Sequence, residues 1–203
     1  LTRLHTSFVL GFHGCDREIG EKALAGELNL IQSDRDYDWL GPGVYFWEGD
    51  PARALEWAQK KASKKPAVVP YVIGAVIDRG NCLDLTFREN IELLREAYTG
   101  LVASFAEQGK QLPQNKDVPG DKSFDKLLRN LDCAVIRYFH DSIDQQLKDP
   151  TNADGSLEPF DTVRGLFQEG DPVYPGSGFF ERTHTQIAVR SLTCIRGIFR
   201  VRS

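Results

Sequence analysis

The chain carries no methionine, only four cysteines and four histidines in 203 residues, and no apolar run near the roughly 18–20 residues that a membrane-crossing helix needs. Each scarcity narrows the field. A start on Leu1 rather than on methionine leads us to expect residues upstream. The stretch from Leu1 to Gly14 lacks the basic start and small-residue cleavage site of a secretion signal, and it already alternates like a strand. Cys15, Cys82, Cys133 and Cys194 lie far apart and form no C-x-x-C pair, which argues against a zinc site or a disulfide framework. Reduced thiols in a cytoplasm are expected, with no metal and no membrane partner. A net charge of −4 gives no global attraction to nucleic acid.

The rest of the composition is that of an ordinary globular chain, 41% hydrophobic and 27% charged. Its length suits one domain, 1–203, able to bury a core without staples. Phe8 to His13 reads as a strand closed by Gly14, and Ile19 to Gly26 as a short helix. After an aspartate-rich loop at Asp34, Asp36 and Asp38, Trp39 to Gly43 is turn chemistry ahead of a short strand, Val44 to Trp47. Asp50 followed by Pro51 starts a helix that runs to about Ser63 and ends among lysines. Val68 to Asp78 is β-branched, with Pro70 marking an edge or an irregular start.

Thr86 with Glu89 has the spacing of a capping box, and Ile91, Leu94, Tyr98, Leu101 and Phe105 then recur at helical spacing. A polar loop from Gln108 to Lys122 leads to a second amphipathic helix through Phe124, Leu127, Leu131, Val135 and Phe139, reaching Leu147. Beyond an exposed loop, Asp149 to Pro159, the last third returns to strands at 163–167, 185–190 and 194–201, with a surface loop at 172–178. Strands at both ends with helices inserted at about 86–148 predict an α+β fold.

Three segments carry residues suited to chemistry. Gly11-Phe12-His13-Gly14 sets an imidazole at a strand end beside backbone that a ligand can approach closely, or it simply closes a strand. Gly41-Pro42-Gly43-Val44-Tyr45-Phe46-Trp47, followed by a helix with Trp57, offers two rings able to sandwich a flat ligand, or an aromatic core. In the late strand, His184 and Gln186 point to one face while Thr185, Ile187 and Val189 point to the other, which suits a site or a solvent-facing edge.

Together these segments resemble the diphtheria-toxin and poly-ADP-ribose-polymerase branch of the ADP-ribosyltransferases, which is recognised by a His, a Tyr and a Glu on three successive motifs. The resemblance covers residues 8–15, 40–58, 68–78 and 179–201, and leaves the helical middle unmatched. It implies a split antiparallel β-core with inserted helices and an enzyme that takes NAD as substrate. His13 would bond a ribose hydroxyl, the Gly14 backbone would hold the carboxamide, Tyr45 would stack on the nicotinamide, and Trp57 would replace the family's second stacking tyrosine. Cleavage of the nicotinamide–ribose bond would leave an oxocarbenium-like ribose, as in glycoside hydrolysis.

The departure lies in the third motif, where the family Glu falls at Gln186. An amide can orient a hydroxyl but neither offsets a developing cation nor serves as a base. Glu181, five residues upstream and of opposite strand parity, is the alternative carboxylate, reaching the site only if its loop bends. Single ADP-ribose transfer to a protein or nucleic-acid acceptor is therefore expected, in a bacterial toxin-type effector with a neutralising antitoxin as candidate partner. The alternatives are an NAD glycohydrolase, a catalytically silent NAD or ADP-ribose reader, and, on Arg182 and Arg190, an RNA 2′-phosphotransferase. Phe179 and Phe180 read as anchors of their loop or as exposed contacts for an acceptor, His5 and His140 have no partners at catalytic spacing, and the three aspartates lack the glycine and distal glutamate of a calcium loop.

Overall fold

A computed structural model describes residues 8–118, 125–149 and 157–202; His5 and Phe124 fall outside these residues, as do parts of the 108–122 and 149–159 loops. The architecture is α+β: a mostly antiparallel seven-stranded sheet and, among the described residues, four α-helices. In chain order the elements are β1 (Phe8–Asp16), α1 (Arg17–Leu24), β2 (Val44–Glu48), α2 (Pro51–Ser63), β3 (Pro70–Asp78), β4 (Cys82–Asp84) and α3 (Arg88–Glu107). They continue with β5 (Asn115–Lys116), β6 (Leu128–Arg129), α4 (Asn130–Lys148), β7 (Thr162–Phe167), β8 (His184–Val189) and β9 (Ile195–Arg200). The sheet runs β4-β7-β8-β2-β1-β3-β9, and the only parallel neighbours are β4 and β7.

Pairing along β1 is unequal on its two sides. With β3 it is continuous from Phe8↔Asp78 to Asp16↔Pro70, so Pro70 stands at the first position of an interior strand, where a missing N–H is tolerated. With β2 it comprises only Gly11↔Glu48 and Phe12↔Trp47. From His13 onward β1 and β2 part.

Both faces of the sheet are covered. One carries a core of Val44, Phe46, Ile73, Ile77, Ile187 and Val189, closed by Ala23 of α1. The opposite face holds two separate packed regions. Helix α2 lies on Phe12 and Trp47 through Ala54, and α3 and α4 cover Leu83, Val163 and Ala188. Among the described residues, no helix is long and apolar enough to cross a membrane.

Local signals set some boundaries and tertiary contacts set others. Asp50 Oδ1 accepts the Arg53 N–H at 3.0 Å and Pro51 opens α2, as the sequence predicts. The expected capping box at Thr86 does not form. Asp84 takes both the Thr86 hydroxyl (2.7 Å) and its N–H (3.1 Å), and α3 begins after Phe87 without a side-chain cap. Its packed face is Leu94, Ala97, Leu101 and Phe105, which leaves Ile91 and Tyr98 exposed. Helix α4 starts at Asn130, later than the apolar spacing suggests, because Asn115 caps it from afar. The Asn115 Oδ1 accepts the N–H groups of Leu131 (2.9 Å) and Asp132 (3.3 Å).

Candidate functional site

Directly paired residues of neighbouring strands share a face of the sheet. One row runs Gly165↔Gln186↔Trp47↔Phe12 across β7, β8, β2 and β1. The flanking rows add Ala188↔Tyr45 and Phe167↔His184. Tyr45, Trp47, Gln186 and His184 therefore stand on the same face, and Trp47, Gln186 and His184 form a strip between the α2 packing and the α3–α4 packing. Trp39 borders the strip on one side and Trp57 on the other. Trp47 and His184 are buried in it, and surface hollows lie elsewhere, one beside β9 and one at the start of α4.

Each polar group in the strip is oriented by its neighbours. The Gln186 Oε1 accepts the Trp39 Nε1–H at 2.6 Å. An indole N–H can only donate, so the amide orientation is fixed and its two N–H donors remain for a ligand. Trp39 fits because the residue facing Gln186 is glycine: a Cβ on Gly165 would lie 2.6 Å from the Trp39 ring. The His184 Nδ1 donates to the Arg182 carbonyl at 2.6 Å, and its ring stacks on Phe167 at 5.6 Å and 17°. Trp57, 43% exposed, meets Trp47 at 6.1 Å, so its ring neighbour is Trp47 rather than Tyr45.

Glu169, only 6% exposed, bonds Arg53 Nη2 at 2.6 Å and lies 3.4 Å from Arg182 Nη1. The Arg129 guanidinium covers the Phe167 ring at 4.5 Å. Trp39, Glu169 and Arg53 carry no local sequence signal, because their places depend on tertiary approach. The parity of His184 with Gln186 was the one available signal for His184.

The residues singled out from sequence divide. Tyr45 is held through its hydroxyl, which accepts from Leu40 N (3.0 Å) and donates to the Gly41 carbonyl (2.8 Å). Burial pushes its pKa well above the usual phenol value, so it offers a ring and not a proton. His13 sits on the opposite face, with Phe46 (5.7 Å) and Ile73, although its Nδ1 donates to the Tyr45 carbonyl at 2.8 Å just where β1 and β2 part. Burial lowers its pKa, so the ring is neutral and Nε2 keeps its lone pair. The two residues thus meet through main chain, flanking the gap from opposite faces of the sheet.

Gly14 faces the strip but is roofed by α2, since a Cβ there would overlap the Ala54 carbonyl oxygen. Helix packing therefore already requires this glycine. Glu181 is exposed, bonded only through its N–H to the Asp171 carbonyl (3.0 Å), with no side-chain partner among the described residues. Of the two readings of this loop, Phe179, 70% exposed, fits a surface contact, while Phe180 is half-buried as an anchor would be. The three aspartates do not converge as ligands: Asp38 accepts from Ser33 (2.6 Å) and the Arg35 N–H (2.8 Å), and Asp34 pairs with Arg137 at 2.5 Å. Arg190 gives a hydrogen bond to the Phe160 carbonyl (2.7 Å), away from the strip.

No family model matches this chain, and neither the curated proteins nor the solved structures give a match. The chemistry of the site has to be argued from its own groups: a fixed amide with two donors, a neutral imidazole beside it, and exposed aromatic surface.

Proposed function

We propose that the protein is an NAD-dependent mono-ADP-ribosyltransferase of the ADP-ribosyltransferase fold, acting on a protein or nucleic-acid acceptor. One observation carries the reading. The three motif-bearing segments lie on β1, β2 and β8, consecutive neighbours in the sheet, and the β1–β2 pairing ends right after Phe12, next to Gln186's partner Trp47. In this reading the dinucleotide enters where the strands part. Tyr45 and Trp57 supply ring surface for the nicotinamide, Gln186 donates to ribose oxygen, and His13, from the other face, holds the Tyr45 carbonyl at the edge of the gap. Binding NAD bent, with the pyridinium held, turns its anomeric carbon toward an acceptor. A role as a toxin-type effector in a cytoplasm, opposed by an antitoxin, is the setting that the resemblance suggests.

A second reading, a catalytically silent NAD or ADP-ribose binder, is favoured by the engaged oxygen of Gln186, which leaves only donors at the third motif. The test is incubation with NAD labelled in the adenylate, followed by mass analysis of added protein, RNA and DNA. Released nicotinamide with a labelled adduct supports transfer, and free ADP-ribose without adduct assigns hydrolysis. NAD left intact at every enzyme concentration overturns the enzyme reading.

A further inference from the structure

We propose that His184 is the general base of this site, the group that takes the proton from the attacking hydroxyl in the role that Gln186 cannot fill. This rests on the NAD reading above. His184 and Gln186 are two positions apart on one strand face, a spacing of about 7 Å, which puts the imidazole within one acceptor group's reach of the amide. Because a carbonyl can only accept, the 2.6 Å contact to Arg182 fixes the proton on Nδ1 and leaves the Nε2 lone pair free.

That nitrogen makes no hydrogen bond among the described residues, in a residue that is only 7% exposed. The ring is held between Phe167 and Trp47 (6.3 Å), so no reorganisation precedes proton transfer. Glu169 Oε2, 3.9 Å from Nδ1, stands where it can stabilise the imidazolium that forms.

The competing bases are paired or turned away from the strip. Glu169 is buried and paired with two arginines, Glu181 points into solvent, and His13 lies on the far face. Burial, with a smaller push from Arg53, keeps the His184 pKa below its ordinary value against the upward pull of the Arg182 carbonyl and, less, of Glu169 and Asp50, so the base form prevails at neutral pH. The Arg182 guanidinium lies on the same Glu169, and the Arg129 guanidinium covers the Phe167 ring that stacks on His184. In the reaction the C1′–N1 bond of NAD breaks with its electron pair passing to neutral nicotinamide. The acceptor oxygen bonds C1′, its proton moves to His184 Nε2, and the imidazolium then returns that proton to water.

The test compares His184→Asn with wild type. An Asn Nδ2 donor preserves the bond to Arg182 while removing the base. Nicotinamide release from NAD is measured in water, and again with azide, an anionic nucleophile that has no proton to lose. Loss of the base lowers the water reaction on the order of a hundredfold and leaves the azide reaction within about threefold of wild type. In wild type itself the water reaction declines with acid only below the ordinary imidazole range, as the lowered His184 pKa requires, while the azide reaction does not, a readout that needs no variant. Water and azide rates that fall in parallel with pH, or a variant whose water reaction keeps its rate, overturn the assignment of His184 alone. A wild type that releases no nicotinamide in either arm overturns the NAD reading with it.

Discussion

His140 couples the α4 core to pH in a way that can be worked out in advance. Its ring is 4% exposed against Phe139 (5.5 Å) and Phe160 (6.3 Å), and its Nε2 has no hydrogen-bond partner. Burial first, and then repulsion from Arg190, lowers its pKa to about 3. An unfolded chain binds this proton near the ordinary value of about 6.5, so as pH falls the unfolded state is protonated first. The stability is fully present above that value and is lost progressively toward the folded pKa. Between pH 7 and pH 5 the loss is about 2 kcal/mol, or about 4–8 °C in Tm for a chain of this size. His140→Leu keeps apolar volume, removes the unpartnered nitrogen and abolishes this component. Urea unfolding of both proteins at the two pH values is the assay. The acid loss of wild type should exceed that of the variant by about 2 kcal/mol with unchanged m-values, and equal losses in the two proteins refute the reasoning.

Gly14→Ala drives a methyl into the Ala54 carbonyl and should destabilise by about 3 kcal/mol or more, seen as a lowered urea midpoint before any activity is assayed. Tyr45→Phe keeps the ring but strips partners from Leu40 N–H and Gly41 C=O. It should cost about 1–3 kcal/mol by thermal unfolding and leave nicotinamide release within about threefold of wild type. A larger loss of turnover in a folded Tyr45→Phe protein contradicts a role limited to its ring.

What the sequence disclosed was local. Asp50 and Pro51 predict the start of α2 because cap and proline act within one turn, and period-2 alternation places Gln186 and His184 together without any knowledge of neighbouring strands. Thr86 misled because Asp84, at the end of a three-residue strand invisible in the pattern, competes for its hydroxyl. Asn115 reaches the α4 start across fifteen positions, so no window around the helix reveals its cap. The face taken by His13 follows from β1–β3 register and not from the His-Gly dipeptide, and the requirement for Gly14 comes from a helix forty positions away. Trp39 and Glu169 enter the strip through contacts with β8 and α2, which composition and spacing do not encode.

The proposed chemistry depends most on Gln186 lying where positive charge develops on the ribose. Gln186→Glu is a clean perturbation, because a carboxylate still accepts the Trp39 N–H and the strand pairing to Trp47 and Gly165 is untouched. A preorganised charge at the reacting centre is worth on the order of a hundredfold in rate. Single-turnover release of nicotinamide from NAD should therefore rise by about that factor in Gln186→Glu over wild type. An unchanged rate in a folded variant would contradict the placement of the reacting ribose at this strip.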